Sequence, residues 1–169
     1  MIDHLDKMRD AGISSIKIEG RMKTEYYVAN IVNAYRLALD YLKNNKSYSL
    51  PSEIRNEVFK SSHRDYSEGF FFGNPKQSLD SSLPIMTHDF IGVVLEDTKD
   101  GKTKVEMRNK FSCEELELLS KEKNNAIIKI EKIEDLEGNQ LEMCNVPKQV
   151  VYIESNQNLK KLEILRRKK

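Results

Sequence analysis

The chain has 169 residues and a formal net charge of +1, with 28 Lys and Arg against 27 Asp and Glu. That balance excludes a globally basic nucleic-acid binder, so any such role has to rest on a local patch. Hydrophobic residues make up 38%, enough for one medium domain or a small domain with an appendage, and no apolar run approaches the ~20 residues that span a bilayer. Cys113 and Cys144 form no CxxC and no signal peptide is visible, which points to free thiols in a cytoplasmic protein without a membrane partner.

Ile2, Leu5 and Met8 are spaced for one helical face, with Asp3 suited to cap its start and Gly12 to follow its end. Ile13–Ile18 then reads as a short strand with Ile16 and Ile18 on one face and Lys17 and Glu19 on the other. A Lys and a Glu at the C-terminal end of a strand, before a glycine turn and a helix, occupy the place where (β/α) enzymes put their chemistry. With Arg21 they are the candidate catalytic group: a carboxylate between two cations stays ionised or orients an anion. The competing reading is a structural ion-pair network. A lone parallel strand also lacks neighbours, so it has to pair outside the unit, exchange between copies in a dimer, or stay irregular.

Thr24 or Lys23 opens a long amphipathic helix, with Val28, Ile31, Val32, Tyr35, Ala38, Leu39 and Leu42 on its apolar face and Asn30, Asn33 and Arg36 on the other. Tyr26, Tyr27 and Tyr35 at helical spacing read as core rather than as a binding box. Ser52 is expected to cap a short helix over Glu53 to Phe59. Lys60 to Pro75 has no periodicity and reads as a loop, in which Phe70, Phe71 and Phe72 need a surface to dock on. A polar linker over Gln77–Ser82 marks a domain boundary. Within the loop His63 has no ligand partner at metal spacing and reads as a packing or surface residue, while Arg64 either holds an anion or pins the loop.

From His88 the pattern changes to period two. Six strands are predicted, over Phe90–Glu96, Lys104–Arg108, Glu115–Leu119, Ala126–Ile133, Val150–Glu154 and Leu162–Leu165, with turns at Asp100-Gly101 and Glu137-Gly138-Asn139. Six short strands in about 80 residues read as a small antiparallel barrel. The fold class is therefore α+β. The expected domains are 1–46, a βα unit; 47–87, a connecting helix, aromatic loop and linker; and 88–169, the barrel. The basic tail with Arg166, Arg167 and Lys168 is a candidate phosphate contact, weighed against a solvated tail.

Lys17-Ile18-Glu19-Gly20-Arg21-Met22-Lys23, followed by Tyr27-Val28-Ala29 and Tyr35-Arg36-Leu37-Ala38-Leu39-Asp40, resembles the end of the barrel domain in the collagenase-like peptidase family, U32. Ser62-His63-Arg64-Asp65-Tyr66-Ser67-Glu68-Gly69-Phe70-Phe71-Phe72-Gly73 matches a second motif of that family in order. The resemblance implies that residues 1–46 are the last βα unit of an α/β barrel whose upstream part is a partner of this chain. It also implies a C-terminal barrel similar to the second domain of elongation factors. Those barrels carry a Gly-Asp turn before the third strand, where this chain has Phe111-Ser112-Cys113-Glu114-Glu115.

The family name implies proteolysis on a protein substrate, with the barrel as a substrate- or partner-binding accessory domain. Several relatives are instead implicated in prephenate-dependent hydroxylation of the tRNA wobble uridine, with an RNA-binding role for the barrel. The family's iron–sulfur cysteines lie upstream, so this fragment is expected to carry no cofactor and no metal, and to be inactive alone.

Overall fold

The computed structural model describes residues 1–45, 47–74, 84–122 and 124–169. The linker expected over Gln77–Ser82 lies outside the described residues. The chain divides into two units, Met1–Thr87 and His88–Lys169.

In the first unit a 3-10 turn over Ile2–His4 runs into α1 (Leu5–Asp10). Asp3 caps nothing; its carboxylate accepts from Arg55 Nε at 2.6 Å. Gly12 follows at φ +78°. The strand expected over Ile13–Ile18 does not form. Ser14 to Glu19 make no backbone–backbone hydrogen bond among the described residues. The two-residue alternation survives, with Ile16 and Ile18 half-buried against the helices and Lys17 and Glu19 exposed. The side-chain pattern is local, whereas a ladder needs a neighbour that this unit does not supply.

The long helix α2 (Glu25–Asn44) starts where expected, with Thr24 Oγ1 accepting from the Tyr27 amide at 3.3 Å. Its buried stripe is Tyr26, Asn30, Ala34, Ala38 and Leu42, with Ile31. The predicted face is thus displaced: Val28 and Val32 are exposed, and Asn30 is fully buried. The reason is a backbone group. α3 (Ser52–Glu57) ends against α2, and Asn30 Nδ2 donates to the Glu57 carbonyl at 2.6 Å and to Ser61 Oγ at 3.4 Å. Asparagine can donate to that carbonyl beside the Lys60 amide, and valine has no donor to offer. Ser52 is the first residue of α3 rather than its cap; the cap position is Pro51, whose carbonyl accepts from the Ile54 and Arg55 amides.

Residues 60–74 contain no helix or strand, only a bridge from His63 to Ile85. The docking expected for the aromatic triplet is met only by Phe72, whose ring lies 4.4 Å from His4 with Lys7 Nζ 4.6 Å from its centroid. Phe70 and Phe71 remain 79% and 74% exposed.

In the second unit, six strands close into an antiparallel barrel. They are β1 (His88–Val94), β2 (Lys102–Met107), β4 (Glu115–Leu119), β5 (Ile127–Glu134), β7 (Val150–Ser155) and β8 (Ile164–Lys168), paired in the order β1-β2-β7-β5-β4-β8 and back to β1. Two further strands were not expected. β3 (Phe111–Ser112) and β6 (Met143–Cys144) form a small separate sheet. Two-residue strands are too short to show a period. Inside the barrel, alternate residues of every long strand meet, among them Ile91, Val105, Leu118, Ile128, Ile153 and Leu165, with Phe111 added from β3.

The predicted turn at Asp100-Gly101 has φ of +51° and +79°, the left-handed pair that a two-residue hairpin needs. A β-branched residue at 101 is strained there whatever the space. Gly101→Val is expected to lower barrel stability by about 1 kcal/mol or more, read as a shift in the urea midpoint without a change in slope.

The C-terminal segment is no tail. Lys168 is the last residue of β8, and Arg166 is wholly buried. Its Nε meets Glu117 Oε1 at 2.5 Å and its terminal nitrogen donates to Asn125 Oδ1 at 2.5 Å. The register explains it: Arg166 lies opposite Glu117 on one side and Phe90 on the other.

Candidate functional site

The first unit holds a cleft of about 420 Å³ beside the unpaired segment Ile16–Glu19. Its floor is the helical core, through Ile31, Tyr27 and Tyr35 of α2 and Val58 after α3. Its far wall is Tyr66, Ser67 and Glu68, so the structure brings the two glycine-containing motifs of the sequence to one cavity. Tyr66 is fixed by its hydroxyl, which donates to the Val58 carbonyl at 2.9 Å, and by His63 stacked 4.8 Å away. Burial pushes the Tyr66 phenol well above its ordinary range, so it remains a donor at every physiological pH. All three tyrosines are core as expected: Tyr26 is buried, and Tyr27 and Tyr35 pack against the helical core while also lining the cleft.

The charged lining is already paired. Arg55 meets Asp3, His4 meets Glu68, and Lys17 Nζ lies 3.6 Å from Glu19 Oε2. Glu19 also accepts from the Arg21 amide at 2.9 Å, so the carboxylate closes the turn at Gly20. Lys17 and Glu19 are in the cleft lining, while Arg21 is exposed and does not line it. Exposed ion pairs of this kind add little stability, about 0–1 kcal/mol. What the group offers is a set of accessible charges at one rim of the cleft.

His63 is buried at 5% exposure, and its Nδ1 lies 2.9 Å from the Arg64 carbonyl. A carbonyl only accepts, so Nδ1 carries the proton. Arg64 is exposed, and its guanidinium has no partner among the described residues. The pinning expected of Arg64 is performed by Tyr66 and His63 instead.

The candidate binding residues of the second unit separate. Arg166 is inaccessible, which removes it as a surface contact. Arg167 is partly exposed between Glu114 at 3.1 Å and Asp89 at 3.5 Å, and Lys168 is exposed. The Glu134 carboxyl is lowered from its ordinary pKa by hydrogen bonds from Lys102 and Lys132, so its contribution to stability is lost as pH falls through the lowered pKa.

A cluster of iron and sulfide needs several thiolates. Cys113 is exposed and Cys144 buried, both are free, and among the described residues no group of three or more His, Cys, Asp or Glu is disposed to hold a metal. The residues here do not fit the iron–sulfur cluster that the family resemblance implies. Burial pushes the Cys144 thiol from 9.0 up to about 11. A buried neutral thiol favours the fold below pH 9 and loses that advantage as pH rises toward 11. One thiol, Cys113, is expected to react with an aromatic disulfide reagent in the native protein at pH 8, and two in denaturant; equal reactivity would contradict the burial of Cys144.

The family model described as peptidase family U32 matches residues 1–81, and that of the peptidase family U32 C-terminal domain matches residues 86–166. The chain is 33% identical, over its whole length, to a Bacillus subtilis protein named tRNA hydroxylation protein P1, of which it covers 42%. It is 28% identical over 81% of its length to Escherichia coli tRNA hydroxylation protein P, of which it covers 31%. It therefore spans less than half the length of these relatives. A crystal structure of the C-terminal domain of a Geobacillus thermoleovorans protein classed as a U32 peptidase aligns at 32% identity and a TM-score of 0.43, covering 47% of this chain and 99% of that one. No helix among the described residues is long and apolar enough to cross a membrane.

Proposed function

The chain belongs to peptidase family U32, and from that premise we propose that it is the C-terminal part of a protein that hydroxylates tRNA. The observation that carries this reading is the identity of 33% over the entire chain to a relative named for tRNA hydroxylation. On this reading the partners are tRNA and the rest of the parent protein, and the iron–sulfur cluster belongs to that remainder. Lys17 and Glu19 present their charges at the rim of the cleft, and Arg21, exposed at the turn that follows, adds a guanidinium that an acidic small molecule or a phosphate can reach. The barrel is an accessory domain of the elongation-factor second-domain kind. Proteolysis rests on the family description alone: His4 meets Glu68, His63 the Arg64 carbonyl and His88 Glu117, contacts that present no nucleophile.

The test uses the full-length parent in its own cell. With Arg21→Ala, hydroxylated wobble uridine measured by tRNA mass spectrometry is expected to fall at least about tenfold while the protein level holds. Unchanged tRNA together with lost gelatin cleavage would overturn the reading in favour of a peptidase.

A further inference from the structure

One end of the barrel carries more positive charge than the whole chain. There β1 begins, β2 ends and β8 ends, because antiparallel pairing puts His88 opposite Lys168 and Gly92 opposite Met107. The chain just after β2 folds over this end: the Arg108 and Asn109 amides both donate to the Ile91 carbonyl. Arg167 of β8 then donates to the Lys110 carbonyl at 3.3 Å. These bonds hold Arg108, Lys110, Arg167, Lys168 and Lys169 together. The carboxylates among them are Asp89, Glu106 and Glu114.

The acids do not neutralise the patch; they orient part of it. Glu106 meets Arg108 at 2.7 Å while the Arg108 guanidinium lies 5.8 Å from the Phe90 ring centroid. Asp89 and Glu114 brace Arg167, and Asp89 also meets Lys169 at 3.4 Å. Lys110 and Lys168 have ammonium groups with no ion-pair partner among the described residues, and both are exposed. Exposed ammonium groups beside two braced guanidinium groups are the complement of a phosphate backbone. The lysines supply screened point charge to the phosphates, and the guanidinium groups, engaged by Glu106, Glu114 and Asp89, add positive potential beside them.

We propose that this barrel end, built from Arg108, Lys110, Arg167 and Lys168, is an RNA-backbone contact surface, which deepens the tRNA reading and rests on it. Its reach is to phosphate and sugar, because the exposed groups that carry it are the ammonium groups of Lys110 and Lys168, which act as point charges. The contact positions the RNA and leaves chemistry to the rest of the parent.

The experiment measures binding of the 169-residue chain to a fluorescent unmodified tRNA transcript by anisotropy at several salt concentrations. The test variant is Lys110→Glu with Lys168→Glu, both on exposed side chains. The control is Lys99→Glu with Lys161→Glu, the same charge change at the opposite end of the barrel, where β2 and β8 begin, and thermal melting checks that both fold. The test pair is expected to weaken binding at least about tenfold and to lower the salt slope by about two, with the control pair losing less than about threefold. Equal loss in both pairs, or no loss in the test pair, would overturn the surface while leaving the tRNA reading to the cellular assay. No binding of tRNA by the unmodified chain, or binding of an acidic protein alone, would overturn it likewise. If the cellular assay shows no role in tRNA hydroxylation but the test pair still loses binding, the surface stands and the functional reading falls.

Discussion

Arg166→Ala is expected to lower the stability of the barrel by about 3–5 kcal/mol. The guanidinium is wholly buried, held by Glu117 on β4 and by Asn125 in the connection to β5. Glu117 is itself only 16% exposed, and its other oxygen lies 3.7 Å from His88 Nε2. Removing the arginine leaves a carboxylate in a site poor in water and strips a partner from the Asn125 amide oxygen. That loss is far larger than the worth of an exposed pair, about 0–1 kcal/mol. The measurement is a urea titration followed on the NMR resonances of β4, β5 and β8, since the two units of the chain need not unfold together.

A loss of that size brings the single variant close to unfolding at 37 °C, so a double variant completes the test. Arg166→Met with Glu117→Gln removes both charges and keeps most of the volume. It is expected to recover most of the loss, because a buried pair replaced as a unit leaves no orphaned charge. A loss below about 1 kcal/mol in Arg166→Ala would mean that the pair is wet and the burial transient. A double variant as unstable as the single would mean that the packing of the arginine stem, not its charge, holds β8.

Phe111→Ala is expected to cost the barrel about 3–5 kcal/mol. Phe111 is 2% exposed and joins the barrel core from β3, which pairs with β6. Its ring fills space that six short strands leave at one end of the barrel. Truncation opens a cavity there, and the two-residue ladder is too short to collapse onto it. Phe111→Leu keeps most of the apolar volume and is expected to lose less than half as much. Hydrogen exchange separates the outcomes: fast exchange confined to β3 and β6 would limit the role of Phe111 to that small sheet. Acceleration across β1 to β8 would make it a member of the common core.

These two residues also show where sequence reasoning reached its limit. Phe111 stands in a strand of two residues, which has no period to detect. Arg166 reads as part of a basic tail because Arg-Arg-Lys-Lys is hydrophilic by composition. Only the pairing of β8 with β4 places a carboxylate opposite it and a neighbouring strand over it. Asn30 is the same lesson in a helix. Its burial goes with a hydrogen bond to the carbonyl of Glu57, 27 residues away, and no helical wheel contains that group.

The sequence by itself determined the elements whose cause is local. It placed α2 and its Thr24 cap, the Asp100-Gly101 turn and the six long strands of the barrel, because periodicity, capping and left-handed turns act over a few residues. The motifs around Lys17-Ile18-Glu19-Gly20-Arg21 and His63 to Gly73 also carried the family. What only the tertiary structure decided depends on groups distant in the chain. It joined the two motifs at one cleft, left Ser14 to Glu19 without a ladder, buried Arg166 and gathered Lys110 with Lys168 at one barrel end. A backbone carbonyl, a facing carboxylate or a missing neighbouring strand decides each of those outcomes, and none of them is written in the residues' own vicinity.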